Sequence, residues 1–197
     1  TTADGYLLSL RIGNGSLLYS RRIADPGAGE FLSMAPLLYK NRILVGSSGG
    51  ISAYQLKNGD PVWRFETDTA SNGVGAPSGR TSTTLFSLDL EKEELYAAVS
   101  NTLIVLDIRK GILMWSDDMD SENGILQGPI FQTRVSGEIR PLVATTTSGK
   151  LLVRDRETRE RLYDTILSSD LSEHHTISYG PGYNPETDML YLSTGTS

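Results

Sequence analysis

The sequence predicts an all-β protein, a β-propeller of four-stranded antiparallel blades. Three observations carry that prediction. Apolar runs are four to six residues long, rich in Leu, Ile, Val, Tyr and Thr, and bounded by Gly, Asn, Asp or Pro. No stretch sustains a 3.6-residue apolar period long enough for a core helix. A strand–turn–strand unit ending in a large aromatic recurs along the chain, at Tyr19, Trp63, Trp115 and Tyr163, at intervals of 44, 52 and 48 residues. A period of roughly 40–50 residues with four strands is what a propeller blade requires, because a twisted sheet buries both faces only by stacking on its neighbours.

The first hairpin runs from Gly5 to Tyr19, with strand Tyr6–Leu10 and the turn Asn14-Gly15. Ala35–Tyr39 and Arg42–Gly46 then lead into the second hairpin, Gly50 to Trp63, with strand Ile51–Gln55 and the turn Asn58-Gly59. Thr84–Asp89 and Leu95–Val99 precede the third, Asn101 to Trp115, with strand Leu103–Asp107 and the turn Lys110-Gly111. Gly128–Phe131 and Leu142–Thr146 precede the fourth, Gly149 to Tyr163, with strand Leu151–Asp155. Gly180–Pro185 and Leu190–Ser193 begin a fifth unit. The chain therefore reads as one domain over 1–197, with blade segments near 1–24, 25–68, 80–118, 125–166 and 176–197. About four blades plus a fraction imply part of a larger seven- or eight-bladed ring, continued by more of the chain or completed by a second chain. A β-sandwich shares the strand alternation, but the repeat covers almost the whole sequence and favours the propeller.

Composition narrows the function classes. The 197 residues carry 18 Lys+Arg against 24 Asp+Glu, a net charge of −6 without a basic cluster, so nucleic acid is not an expected partner. The absence of cysteine removes a disulfide scaffold, a thiol nucleophile and a Cys-ligated zinc site. No run of 18 apolar residues predicts a transmembrane helix. The start, Thr1-Thr2-Ala3-Asp4-Gly5, is neither a signal peptide nor an initiator methionine, which suggests a chain processed or cut from something longer.

The hairpin grammar (Gly-x-Leu-x-Ala-Leu-Asp-x-x-Thr-Gly-x-x-x-Trp in idealised form) resembles the repeat of pyrroloquinoline-quinone (PQQ) enzymes. The order of segments resembles the quinoprotein alcohol dehydrogenases in particular. It runs through Ala24–Gly29, Met34–Leu37, Ile43–Gly50 and Ala53-Tyr54 to Asn58-Gly59 and Trp63-Arg64-Phe65, and returns at Tyr179-Gly180-Pro181, Asn184–Thr187 and Thr194-Gly195. The same repeat builds noncatalytic scaffold propellers. The resemblance implies PQQ and calcium as cofactors, a small alcohol as substrate and a periplasmic or otherwise exported location. The scaffold relatives imply a protein partner instead. By the same resemblance Ser48, Gly49 and Gly50 would line the cofactor, since glycine lets backbone approach a flat ring closely, and Tyr179 would offer a stacking face in place of the family's tryptophan. A plain inter-strand turn at Ser47–Gly50 and a blade-packing aromatic at Tyr179 are the competing readings.

The family's other parts find no match. The metal-binding glutamate and the insertion after the glycines are missing, for the chain runs straight on to Ile51-Ser52-Ala53. Thr196 replaces the amide of the family's Gly-Thr-Gly-Asn ligand motif, and the paired cysteines are absent. The family's catalytic aspartate lies downstream of that motif. No catalytic residue and no metal ligand are therefore assigned.

The remaining polar clusters read as structural. His174-His175 reads as a surface loop, and Asp117, Asp118, Asp120 and Glu122 as a solvated loop lacking the order of a calcium-binding loop. Thr69–Arg80 lacks the Lys-Ser/Thr ending of a phosphate loop. Glu91–Glu94 reads as a charged turn, and the mixed-sign run Arg154–Arg161 as an exposed hairpin.

Overall fold

In the computed structural model, residues 1–32, 34–66, 85–99, 102–118, 130–131, 141–145, 150–166, 175–177, 182–184, 187, 189–191 and 194–196 are described. The chain divides into two compact units, Thr1–Thr84 with Ile108–Leu113, and Leu85–Asp107 with Met114–Ser197.

The first unit opens with the antiparallel pair β1 (Tyr6–Leu10) and β2 (Leu17–Arg22). A short 3-10 turn, Pro26–Ala28, follows; Asp25 caps it by accepting from the Gly27 N–H, and Pro at its first position needs no such partner. Then comes a four-stranded sheet in sequential order, β3 (Leu37–Tyr39), β4 (Arg42–Ser47), β5 (Gly50–Gln55) and β6 (Pro61–Glu66). Its central strands are buried on both faces and so read as continuous apolar runs. Leu7, Ile23, Ile43, Val45 and Tyr54 form a core between the two sheets, with Tyr19 and Leu32 packed against it.

The second unit holds two more four-stranded antiparallel sheets. One is β7 (Leu85–Asp89), β8 (Glu94–Val99), β9 (Thr102–Asp107) and β10 (Ile112–Asp118). The other is β11 (Ile130–Phe131), β12 (Pro141–Thr145), β13 (Lys150–Asp155) and β14 (Arg161–Ile166). Tyr96, Ala98, Leu103 and Val105 pack on Leu152, with Trp115 at the margin. In both of these sheets every strand neighbours the next in sequence, so each is a local meander. The pair β16 (Gly182–Asn184) and β17 (Met189–Tyr191) lies at the predicted start of the fifth unit. The pair β15 (His175–Ile177) and β18 (Thr194–Thr196) was not predicted, and it places His175 on a strand opposite Thr196, not on a loop.

The recurring aromatics occupy equivalent places. Tyr19 pairs with Ser9, Trp63 with Ala53 and Tyr163 with Val153, and in each hairpin the register slips at the next residue. The turns that follow share a left-handed fifth position, Gly15, Gly59, Gly111 and Arg159, with φ of 68°, 72°, 68° and 67°. The Tyr19 hydroxyl donates to the Leu56 carbonyl at 3.2 Å and the Trp63 indole to the Ile108 carbonyl at 3.1 Å. Leu56 and Ile108 each stand one residue past the third strand of their sheet.

Further expectations are corrected: Asp117 and Asp118 end strand β10 rather than lying on a solvated loop, Glu94 opens β8 and is buried rather than standing in a charged turn, and the run Arg154–Arg161 is exposed only in part. The run Arg154–Arg161 does form a hairpin with Glu157, Thr158, Glu160 and Arg161 exposed, but two of its arginines are not: Arg154 and Arg156 are 5% and 1% exposed. Arg156 is ion-paired with Asp89, and Arg154 donates to Asp117 at 2.7 and 2.8 Å. Burial on that scale requires paired charge, and the acidic partners come from strands distant in sequence.

Candidate functional site

The sequence places three site residues in the β4–β5 hairpin, and the structure keeps them together. Ser47 and Gly50 pair across a two-residue turn made by Ser48 and Gly49. Gly50 has φ 141°, and a Cβ there would lie 2.1 Å from the Phe65 carbonyl oxygen, so only glycine fits. The hairpin is tied to the segment after the 3-10 turn. The Ser48 N–H donates to the Phe31 carbonyl at 2.8 Å, the Phe31 N–H donates to the Ser48 hydroxyl at 3.0 Å, and Leu32 bridges Ser47. Tyr179 lies outside the described residues, so of the four predicted site residues three are brought together.

Sequence reasoning missed the charged groups beside this turn. The Arg64 guanidinium donates to Glu30 Oε1 at 2.7 Å, and the Ser47 hydroxyl donates to the same oxygen at 3.3 Å. The Asp25 N–H donates to the other oxygen, Oε2, at 3.2 Å. Burial pushes the Glu30 carboxyl up, but the hydrogen bonds from Arg64, Asp25 and Ser47 outweigh it and hold it below the ordinary value. Glu30 and Arg64 stand 34 residues apart, and no spacing rule links them. The one local signal is Glu30 closing the cap of the Asp25-Pro26-Gly27 turn.

This arrangement tests whether the implied cofactors fit. A hard cation needs several oxygen ligands with carboxylate charge. The carboxylate beside the turn, Glu30, is already neutralised by Arg64, and the described residues contain no group of three His, Asp or Glu that could hold a metal. A Cβ on Gly49 would lie 2.9 Å from Glu30 Oε1 and 3.0 Å from Arg64 Nη2. The open face of that glycine is filled by the chain's own ion pair. The described residues fit neither calcium nor a flat ring at this turn, and no redox step is derived from them.

The second unit holds another charged cluster. Glu94, 5% exposed, accepts from Arg159 Nη2 at 2.8 Å on both oxygens and from the Tyr96 hydroxyl at 2.6 Å. Burial, and then the bond to Glu94, push the Tyr96 phenol up. The Arg159 guanidinium also lies over the Tyr96 and Trp115 rings, at 5.2 and 5.9 Å from their centroids. These groups satisfy one another's charge and hydrogen bonds.

Sequential meanders with equivalent aromatics and turns define a repeat propeller. Its identity follows from comparison with known proteins. A model of the PQQ_2 family, described as outer membrane protein assembly factor BamB, matches residues 1–165, and the chain belongs to that family. Among curated proteins it is 37% identical over 70 residues to a lanthanide-dependent methanol dehydrogenase of Methylacidiphilum fumariolicum, covering 32% of this chain and 12% of that one. It is 30% identical over 86 residues to the quinoprotein alcohol dehydrogenase PedH of Pseudomonas putida, covering 40% and 14%. A solved europium-containing methanol dehydrogenase superposes with TM-score 0.76 at 19% identity, covering 98% of this chain and 49% of that one. BamB from Moraxella catarrhalis gives 0.60 at 19% identity, covering 98% and 59%. The chain thus spans about half the length of these structures and a smaller part of the curated relatives it matches, and at such identities the structural likeness establishes the β-propeller fold.

Proposed function

We propose that the chain is a noncatalytic relative of the quinoprotein alcohol dehydrogenases, a PQQ-repeat propeller that serves as a scaffold for a protein partner docking on its loops or sheet edges. One observation carries this reading: the Glu30–Arg64 ion pair closes over Gly49 at the turn where the family resemblance would put the cofactor. The match to a family described by an outer membrane assembly factor supports it, and with it an exported, periplasmic location and a ring completed by further blades. The test is dye-linked oxidation of ethanol and methanol by the protein supplied with PQQ and calcium or a lanthanide. No metal-dependent turnover is expected. Turnover that requires both additions overturns the proposal.

The second reading is an alcohol-oxidising quinoprotein in which Ser48, Gly49, Gly50 and Tyr179 line the PQQ. The 37% identity to a lanthanide-dependent methanol dehydrogenase favours it. It requires Glu30 to exchange Arg64 for the metal, so Arg64→Gln would raise metal affinity under this reading and leave it negligible under the first.

A further inference from the structure

A cleft of about 500 Å³ lies within the first unit, away from the glycine turn but sharing the Glu30–Arg64 pair with it. That volume falls in the range of small-molecule sites. Ile23 and Ala24, both buried, form its apolar base, and Trp63 lines one side. Arg21, Arg22 and Arg64 line it together with two carboxylates, Asp25 and Glu30, while Asp60 and Glu66 pair with Arg21 and Arg64 from beside the lining.

The spare hydrogen-bonding capacity of the charged groups is mostly of the donor kind, with Asp25 Oδ2 the one carboxylate oxygen of the lining that has no partner among the described residues. Glu30 spends both oxygens on Arg64, Ser47 and the Asp25 N–H. Asp25 Oδ1 accepts from both Arg22 Nη2 and the Gly27 N–H. Each arginine, by contrast, uses only part of its fork. Arg21 donates through Nε to the Asn58 carbonyl and through Nη2 to Asp60, Arg22 through Nη2 to Asp25, and Arg64 through Nη2 to Glu30 with Nε near Glu66. Nη1 of all three, and Nε of Arg22, have no partner among the described residues. Those bonds hold the guanidinium groups in place while their other N–H groups stay available, which suits a planar, acceptor-rich anion bound by bidentate contacts.

We propose that this cleft binds a small organic polycarboxylate, held by Arg21, Arg22 and Arg64 against the Trp63 side. The site goes beyond the scaffold reading and uses neither the glycine turn nor a metal. Trp63 makes it observable. With Trp115→Phe, Trp63 is the one tryptophan left of the chain's two, and its emission is followed while citrate or malonate is added, against sodium chloride at matched ionic strength. A saturable change with the carboxylates is expected, weakened roughly tenfold by Arg22→Gln and less by Arg22→Lys, which keeps charge but loses the fork. Arg22 is half exposed and among the described residues pairs with Asp25 alone, so its variants are expected to fold, and an unchanged melting temperature verifies that. Arg11→Gln, on the first hairpin turn away from the cleft, should leave the titration unchanged. A response that chloride reproduces, or that both Arg22 variants leave intact, overturns the proposal.

Discussion

The Trp63 indole donates to the Ile108 carbonyl at 3.1 Å, and its ring lies against Gly111 in the same turn. Tyr19 repeats the relationship, donating to Leu56 with its ring against Gly59. In these two hairpins the terminal aromatic is therefore a bolt. Its polar atom fixes a turn carbonyl, and its ring needs the space that a missing Cβ leaves. This explains why the sequence couples a glycine turn to a terminal aromatic so regularly, and why Arg42, which donates to the Ile108 carbonyl at 3.3 Å, converges on the same turn.

Gly111→Ala should be among the most damaging small substitutions in the first unit. A Cβ would lie 2.4 Å from the Trp63 ring, at a residue with φ 68°. Left-handed strain costs about 1 kcal/mol and overpacking another 1–3 kcal/mol. Urea unfolding should show a loss of about 2–4 kcal/mol, and Trp63→Phe in the same background should recover part of it.

At the equivalent position of the fourth hairpin stands Arg159, with φ 67°. The reason lies in strand β8. Arg42 and Glu94 hold equivalent places, opposite Gln55 and Asp107 at the ends of their pairs. Arg42 meets backbone carbonyls, so glycine serves in its turn. Glu94 is a buried anion and needs a cation, which Arg159 supplies at the cost of backbone strain. Arg159→Gly relieves about 1 kcal/mol of strain but strands a buried carboxylate at about 3–5 kcal/mol. A net destabilisation of about 2–4 kcal/mol is expected by calorimetry, and a double-mutant cycle with Glu94→Gln should show strong coupling. Additive effects would refute the pairing.

The contrast between these two turns marks what a sequence discloses. The meanders are legible because their information is local: Asn58-Gly59 and Lys110-Gly111 announce turns, and the strands on either side follow within a few residues. Strands β15 and β18 escape because three-residue segments pair across the β16–β17 hairpin rather than through a turn of their own. The hairpin Arg154–Arg161 reads as exposed because its charges look solvated until Asp89, Glu94 and Asp117 arrive from other strands. The candidate site divides the same way: the Ser48–Gly50 turn is visible, while the Glu30–Arg64 pair that fills it depends on tertiary approach.

Acid should act on the first unit through Glu30. Its carboxyl sits below the ordinary value of 4.5 in the folded state. The stabilisation is therefore complete above that value and is lost as pH falls through the lower, folded-state one. Arg64 is 39% exposed, so solvent screening limits the effect to under about 1 kcal/mol. Melting temperature measured from pH 7 down to pH 3 should fall across this window, and Glu30→Gln should lower the neutral plateau while flattening that step.

Asp89→Asn should destabilise the second unit more than any surface change. Asp89 is 2% exposed, accepts from the Glu91 and Lys92 N–H groups at 3.1 Å through Oδ1, and is ion-paired through Oδ2 with Arg156, which is 1% exposed. Among the described residues Arg156 Nε and Nη1 have no hydrogen-bond partner, so Asp89 and Glu91 compensate its buried charge. Asparagine can keep one turn-capping oxygen but loses the charge, and stranding the cation costs about 3–5 kcal/mol. Replacing both members, with Asp89→Asn and Arg156→Met, removes the stranded charge and should recover much of the loss. If the double variant unfolds at lower urea than Asp89→Asn alone, Arg156 is held by its packing and not by its counter-ion.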